Sequence, residues 1–138
     1  MAFDFSTLIT DRTLDDVMTG TDKGYYNATD LNRVGEAVES IAGRFTGYGY
    51  AVEVSLNTDW SESDTPTARQ METYRGNIAS LRAVIAVLSS TPETPERMRA
   101  LDYIKANDIE HILQDLDTLI TNMEQAWFFS GDLYAGET

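Results

Sequence analysis

Histidine, serine and the carboxylates are the groups with which a chain lacking cysteine does chemistry, so their spacing is tested first. The single histidine, His111, follows Glu110 and precedes Ile112 and Leu113. A serine–histidine–acid arrangement needs the histidine to contact a serine and an acid, and no glycine pattern of a nucleophile elbow presents such a serine here. With one histidine and no cysteine, a zinc site would have to be completed by carboxylates, and thiolate or iron–sulfur chemistry has no ligands at all. His111 therefore reads as a helix-surface residue. The 23 acids include the residue types of a glycosidase pair, but such a pair needs one acid in an apolar pocket that raises its pKa. Asp15 and Asp16, Glu36 and Glu39, and Asp115 and Asp117 fall at polar positions and read as solvated faces. The acidic run Asp59 to Asp64 around Trp60 lacks the glycine and glutamate register of a calcium loop. Gly43, Gly47 and Gly49 are followed by no Gly-Lys-Ser/Thr and make no phosphate loop. Asn27-Ala28-Thr29 matches a glycosylation sequon, but helix capping is the expectation there. No catalytic residue, cofactor or metal ligand is expected.

Composition narrows the partners. Ten Lys plus Arg against 23 Asp plus Glu give a net charge of −13 over 138 residues, so a phosphate backbone would be repelled. The start, Met1 to Phe5, carries an acid where a secretory signal needs a basic region. The longest apolar run, Ala83 to Leu88, is far short of the roughly twenty residues of a membrane span. No nucleic-acid partner and no membrane are expected.

Three helical stripes must position whatever the chain presents. Leu31, Val34, Val38, Ile41 and Phe45 repeat at helical spacing, with Asn27 or Thr29 as cap and Gly47 and Gly49 as stop. Met71, Tyr74, Ile78, Leu81, Ile85 and Leu88 form a second stripe, expected to start at Thr65-Pro66 and stop at Thr91-Pro92. Ile104, Ile109, Ile112, Leu113, Leu116, Leu119, Ile120, Met123 and Trp127 form a broader third, expected to end near Ser130 with Gly131 as its cap. Thr94-Pro95-Glu96 predicts a short extra turn or helix carrying Met98 and Leu101 inward. Tyr48 to Leu56 alternates as an extended segment or short strand. The expected fold is all-α: an antiparallel three-helix bundle with a short extra helix and an extended N-terminal arm. The expected organisation is one domain, with an arm and short helix over residues 1–26, the bundle over 27–130 and a tail over 131–138.

Aromatic residues cluster at both ends, and a small bundle buries at most part of the arc that Trp127-Phe128-Phe129 spans; the remainder is either covered by the Phe3/Phe5 arm or offered to another chain. Phe3, Phe5, Trp127, Phe128, Phe129 and Tyr134 are therefore the expected interface residues. Four segments then occur in order: Leu8-Ile9-Thr10-Asp11-Arg12-Thr13, Tyr26-Asn27-Ala28-Thr29-Asp30-Leu31-Asn32-Arg33-Val34, Thr58-Asp59-Trp60 and Lys105-Ala106-Asn107-Asp108-Ile109-Glu110. Together, over roughly residues 8–130, they resemble a small module of tail-associated structural proteins of phages and prophages of gut Firmicutes. Similar sequences often carry a longer helical insert where this chain has the short stretch from Met18 to Tyr25. The resemblance implies a non-enzymatic virion component, made in the host cytoplasm, that contacts other tail chains. It carries over no catalytic residue. A homo-oligomer is expected from the symmetry of such parts. In local terms, Trp60 can fill a groove between helices, and Asn107 and Asp108 can bond the backbone of a crossing loop. The alternative is a small acidic inhibitor that mimics nucleic acid in an enzyme's basic groove. Arg33, Arg44, Arg69, Arg75 and Arg82, scattered among the acids, break the rows of negative charge that such mimicry needs.

Overall fold

A computed structural model describes residues 3–20, 28–55, 58–61, 63–64, 66–85, 87, 90–95 and 102–137, with 127–137 described by their backbone alone. A 3₁₀ turn (Phe5–Thr7) is followed by α1 (Leu14–Thr19), α2 (Ala28–Gly47), α3 (Ala68–Arg82) and α4 (Tyr103–Glu137). Local chemistry explains most ends. Thr13 and Asp16 form a capping box on α1, and Gly20 closes that helix at φ 71°, a left-handed conformation that favours glycine. Thr67 and Gln70 form a second box on α3, which moves its start past the expected Thr65-Pro66 because Thr67 has a glutamine partner three residues on. Asp102 accepts the Lys105 N–H at 2.8 Å at the head of α4. Helix α3 stops at Arg82, well before Thr91-Pro92, and the Arg82 side chain instead donates to the Pro92 carbonyl at 2.9 Å. Helix α4 runs through Gly131 to Glu137, past the expected end near Ser130. The extra turn expected around Glu96 to Leu101 and the side chain of Leu88 lie outside the described residues.

The all-α bundle predicted by the stripes is present, with α2, α3 and α4 packed on one another. All five stripe residues of α2 are buried, and Val34, Val38, Ile41 and Phe45 join Ile78 and Leu81 of α3 and Ile109, Ile112, Leu113, Leu116 and Ile120 of α4 in one core. Leu8 of the arm closes one side. Ile104 departs from its stripe: it is 54% exposed, on the first turn of α4, five residues before Ile109 and so turned away from that face.

The polarity of the helices differs from the expected antiparallel arrangement. Arg33 of α2 meets Glu110 of α4, and Arg44, eleven residues on, meets Asp117, Thr121 and Glu124. Both helices therefore run the same way. The chain returns between helices as extended segments: Trp60 bonds Asn32 near the head of α2, while Ser55 bonds Asn77 of α3. Residues 91–95 descend beside α3, with Pro92 at Arg82 and Pro95 at Arg75. Such returns need length. Helix α2 is about 30 Å long, and a segment such as 48–67 reaches about 66 Å at full extension, so it spans the helix with slack.

The segment 50–55 forms no strand, yet it keeps the expected alternation. Tyr50, Val52 and Val54 pack on the core, while Ala51, Glu53 and Ser55 face out. Tyr50 meets the Phe45 ring edge-on at 5.5 Å, which anchors the return at the end of α2. Phe45 thus joins α2 to its return segment as well as to the core. Phe45→Ala is expected to lower stability by about 3–5 kcal/mol, read as a fall in the urea midpoint.

Candidate functional site

Four charged side chains meet where the N-terminal arm crosses the heads of α2 and α4. Glu110 of α4 is fully buried, and its carboxylate accepts four N–H groups. The Ile9 N–H reaches Oε1 at 3.1 Å, and the Arg33 guanidinium forks onto the carboxylate at 2.7 and 2.9 Å. Arg12 Nη2 donates to Oε2. Asp30, in the first turn of α2, accepts from both guanidinium groups. Arg12 also donates to the Ile9 carbonyl at 3.0 Å. Asn107 then clips the arm, accepting the Arg12 N–H at 3.0 Å and donating to its carbonyl at 2.9 Å.

Two positive and two negative charges are thus enclosed together. Taking an ion out of water costs several kcal/mol, and only close, hydrogen-bonded counter-charges offset that. Burial opposes the Arg33 charge, and hydrogen bonds and attraction from Glu110 and Asp30 outweigh it, so its pKa lies above the ordinary arginine value. The four acceptor sites of Glu110 are all taken. A carboxylate held this way has no lone pair left to take a substrate proton. The cluster locks three pieces of chain together.

Asn107 belongs to a repeated device. Asn32 of α2 donates to the Trp60 carbonyl and accepts its N–H, both at 2.8 Å. Asn77 of α3 does the same to Ser55, at 2.7 and 3.0 Å. Each long helix therefore carries one asparagine whose carboxamide serves an extended segment as a neighbouring strand would. A helix has no free backbone N–H or C=O at mid-length to offer, and the asparagine supplies both.

At the other end of the bundle Arg44 bridges α2 to α4 through Asp117 at 2.6 Å and Glu124 at 3.0 Å. His111 lies on α4 with Asp115 at 3.4 Å, and Thr91 donates to the same Asp115 at 2.7 Å. No group of three or more His, Asp or Glu suited to a metal ion occurs among the described residues. No helix among them is long and apolar enough to cross a membrane.

The expected interface residues divide. Phe3 and Phe5 meet edge to face at 5.0 Å and are partly buried against the core. Trp127, Phe128, Phe129 and Tyr134 lie along α4, and their side chains fall outside the described residues. Asp15, Glu36 and Glu39 are exposed, as the solvated-face reading expects. That reading fails for Asp115 and Asp117, which are half-buried and bond Thr91 and Arg44, and for Asp16, which closes the capping box of α1. Asp30 and Glu110 are buried, and two arginines compensate them. The bond from Asn107 to a crossing loop is present. Glu110 was detectable in one respect: it follows Ala106 by one turn, on the same apolar face.

Two outcomes are expected. Glu110→Gln leaves two buried guanidinium groups short of charge and lowers stability by about 3–5 kcal/mol in urea denaturation. Asp108 behaves in the opposite sense. Burial pushes its carboxyl up; His111 pulls it back in part, and the Asp102 charge adds a smaller upward push. The folded chain therefore binds that proton more tightly than the unfolded chain, and ionised Asp108 destabilises at neutral pH. Asp108→Asn raises the neutral urea midpoint, and the gain shrinks as pH falls through the carboxylate range.

No protein-family model matches the chain, and no curated protein and no solved structure matches it either.

Proposed function

We propose that the chain is a non-enzymatic structural or adaptor module of a phage or prophage particle, associated with the tail. The observation that carries this reading is where the resemblance motifs fall. Arg12, Asp30, Asn32, Arg33, Trp60, Asn107 and Glu110 all come from those four segments, and all make bonds that tie the chain to itself. Residues arranged for an activity would leave polar atoms open towards a substrate. These close on one another. A rigid body of this kind works by holding its surface in a set geometry for neighbouring chains.

In this reading the chain is made in the host cytoplasm and ends in the virion, where it contacts other tail proteins and copies of itself. The aromatic residues late in α4, Trp127, Phe128, Phe129 and Tyr134, together with Phe3 and Phe5, form its docking surface.

Quantitative mass spectrometry of gradient-purified particles is the direct test: the chain is expected there in a fixed copy number. Recovery only in the unassembled fraction overturns the reading. The double change Trp127→Ser and Phe129→Ser is expected to reduce incorporation while far-ultraviolet circular dichroism stays close to the parent. Loss of helicity instead would place those rings in the core.

A further inference from the structure

The return segment from α2 to α3 is held to the bundle at two points. Asn32 and Asn77 hold it at Trp60 and Ser55, and beside these two clips lies a cleft of about 250 Å³. Val38 of α2 and the rings of Trp60 and Tyr74 supply its apolar walls, and Gly35 removes a side chain from the α2 side. Arg69 lines the same cleft from the first turn of α3.

Arg69 is the unusual member. Arg12, Arg33, Arg44, Arg75 and Arg82 each engage a carboxylate. Arg69 engages none among the described residues, in a chain whose acids outnumber its bases by 23 to 10. A guanidinium next to aromatic and aliphatic walls is a complement for one acid group on a flat apolar body. The net charge of −13 sharpens the choice. A polyanion meets the repulsion of the whole chain with every charge, whereas a single charge meets it once and is offset by Arg69 at contact. The walls are also pre-set, because two pairs of backbone bonds hold the Trp60 and Ser55 segments before any ligand arrives.

We propose that this cleft binds a small aromatic monocarboxylate, its ring against Trp60, Tyr74 and Val38 and its carboxylate on Arg69. The inference does not rest on the assembly role above.

The test is calorimetric titration of the full chain with indole-3-acetate and, in parallel, its neutral analogue indole-3-acetamide. The acid is expected to bind with a dissociation constant on the order of 0.1 mM and about tenfold more tightly than the amide. Arg69→Gln, at an exposed position, is expected to bring the acid down to the affinity of the amide and leave the amide unchanged. Thr73→Trp, also exposed and on the rim, is expected to block both ligands with helicity intact. Amide resonances of Gly35 and Thr73 should shift on titration. A short peptide ending in a free phenylalanine carboxylate distinguishes a protein tail from a free acid by which ligand binds more tightly, and either order supports the site. No saturable binding at millimolar ligand overturns the proposal. So does equal affinity for acid and amide in the parent chain, an unchanged acid preference in Arg69→Gln, or shifts confined to another face.

Discussion

The rest of the fold depends on keeping the buried charge of Glu110 compensated. A carboxylate at that depth is tolerable only with counter-charge and donors on every side, and three separate stretches of chain bring them. Arg33 comes from α2, Arg12 and the Ile9 N–H from the arm, and Asp30 balances the second guanidinium. None of these pieces can move alone without leaving a charge uncovered. The cluster therefore fixes the arm to the bundle and sets the register of α2 against α4.

That register runs the two helices in the same direction, which sets a second constraint. Parallel neighbours cannot be joined by the short loops of an up-and-down bundle. The chain has to come back along the helix just made, in extended form, with backbone groups that need partners. The asparagine clips answer that need. Asn32, Asn77 and Asn107 each give one crossing residue both a donor and an acceptor, from a helix that has neither to spare. Aligned helices also stack their dipoles side by side. Asp30 in the first turn of α2 and Arg44 in its last turn oppose the resulting end charges and at the same time bridge to α4 or the arm.

The same devices link the fold to both functional readings. Using the motif residues for internal bonds ties the arm and the helices into one body, which is what the proposed assembly role needs. Holding the return segment at Trp60 and Ser55 leaves the cleft beside it, with Arg69 on its rim. Stiffness serves either purpose: a preset surface loses little freedom when a neighbour or ligand meets it.

Much of this was legible in the residues. The stripes of α2, α3 and α4 follow from 3.6-residue periodicity, the inward face of 50–55 from period-two alternation, and the Asn107 contact from an amide near a helix head. The direction of the helices was less so, although the long gaps between stripes already pointed away from tight turns. Periodicity says which face of a helix is buried and nothing about which way its neighbour runs. The meeting of Asp30, Arg33 and Glu110 was not legible, because an isolated charge belongs in water and their partners lie far apart in the chain. Only the tertiary structure, by bringing Arg12 from far away in the chain, made their burial affordable. Sequence by itself determined three rods with oily sides. Long-range electrostatic compensation decided how they face one another, since it exists only once distant residues meet.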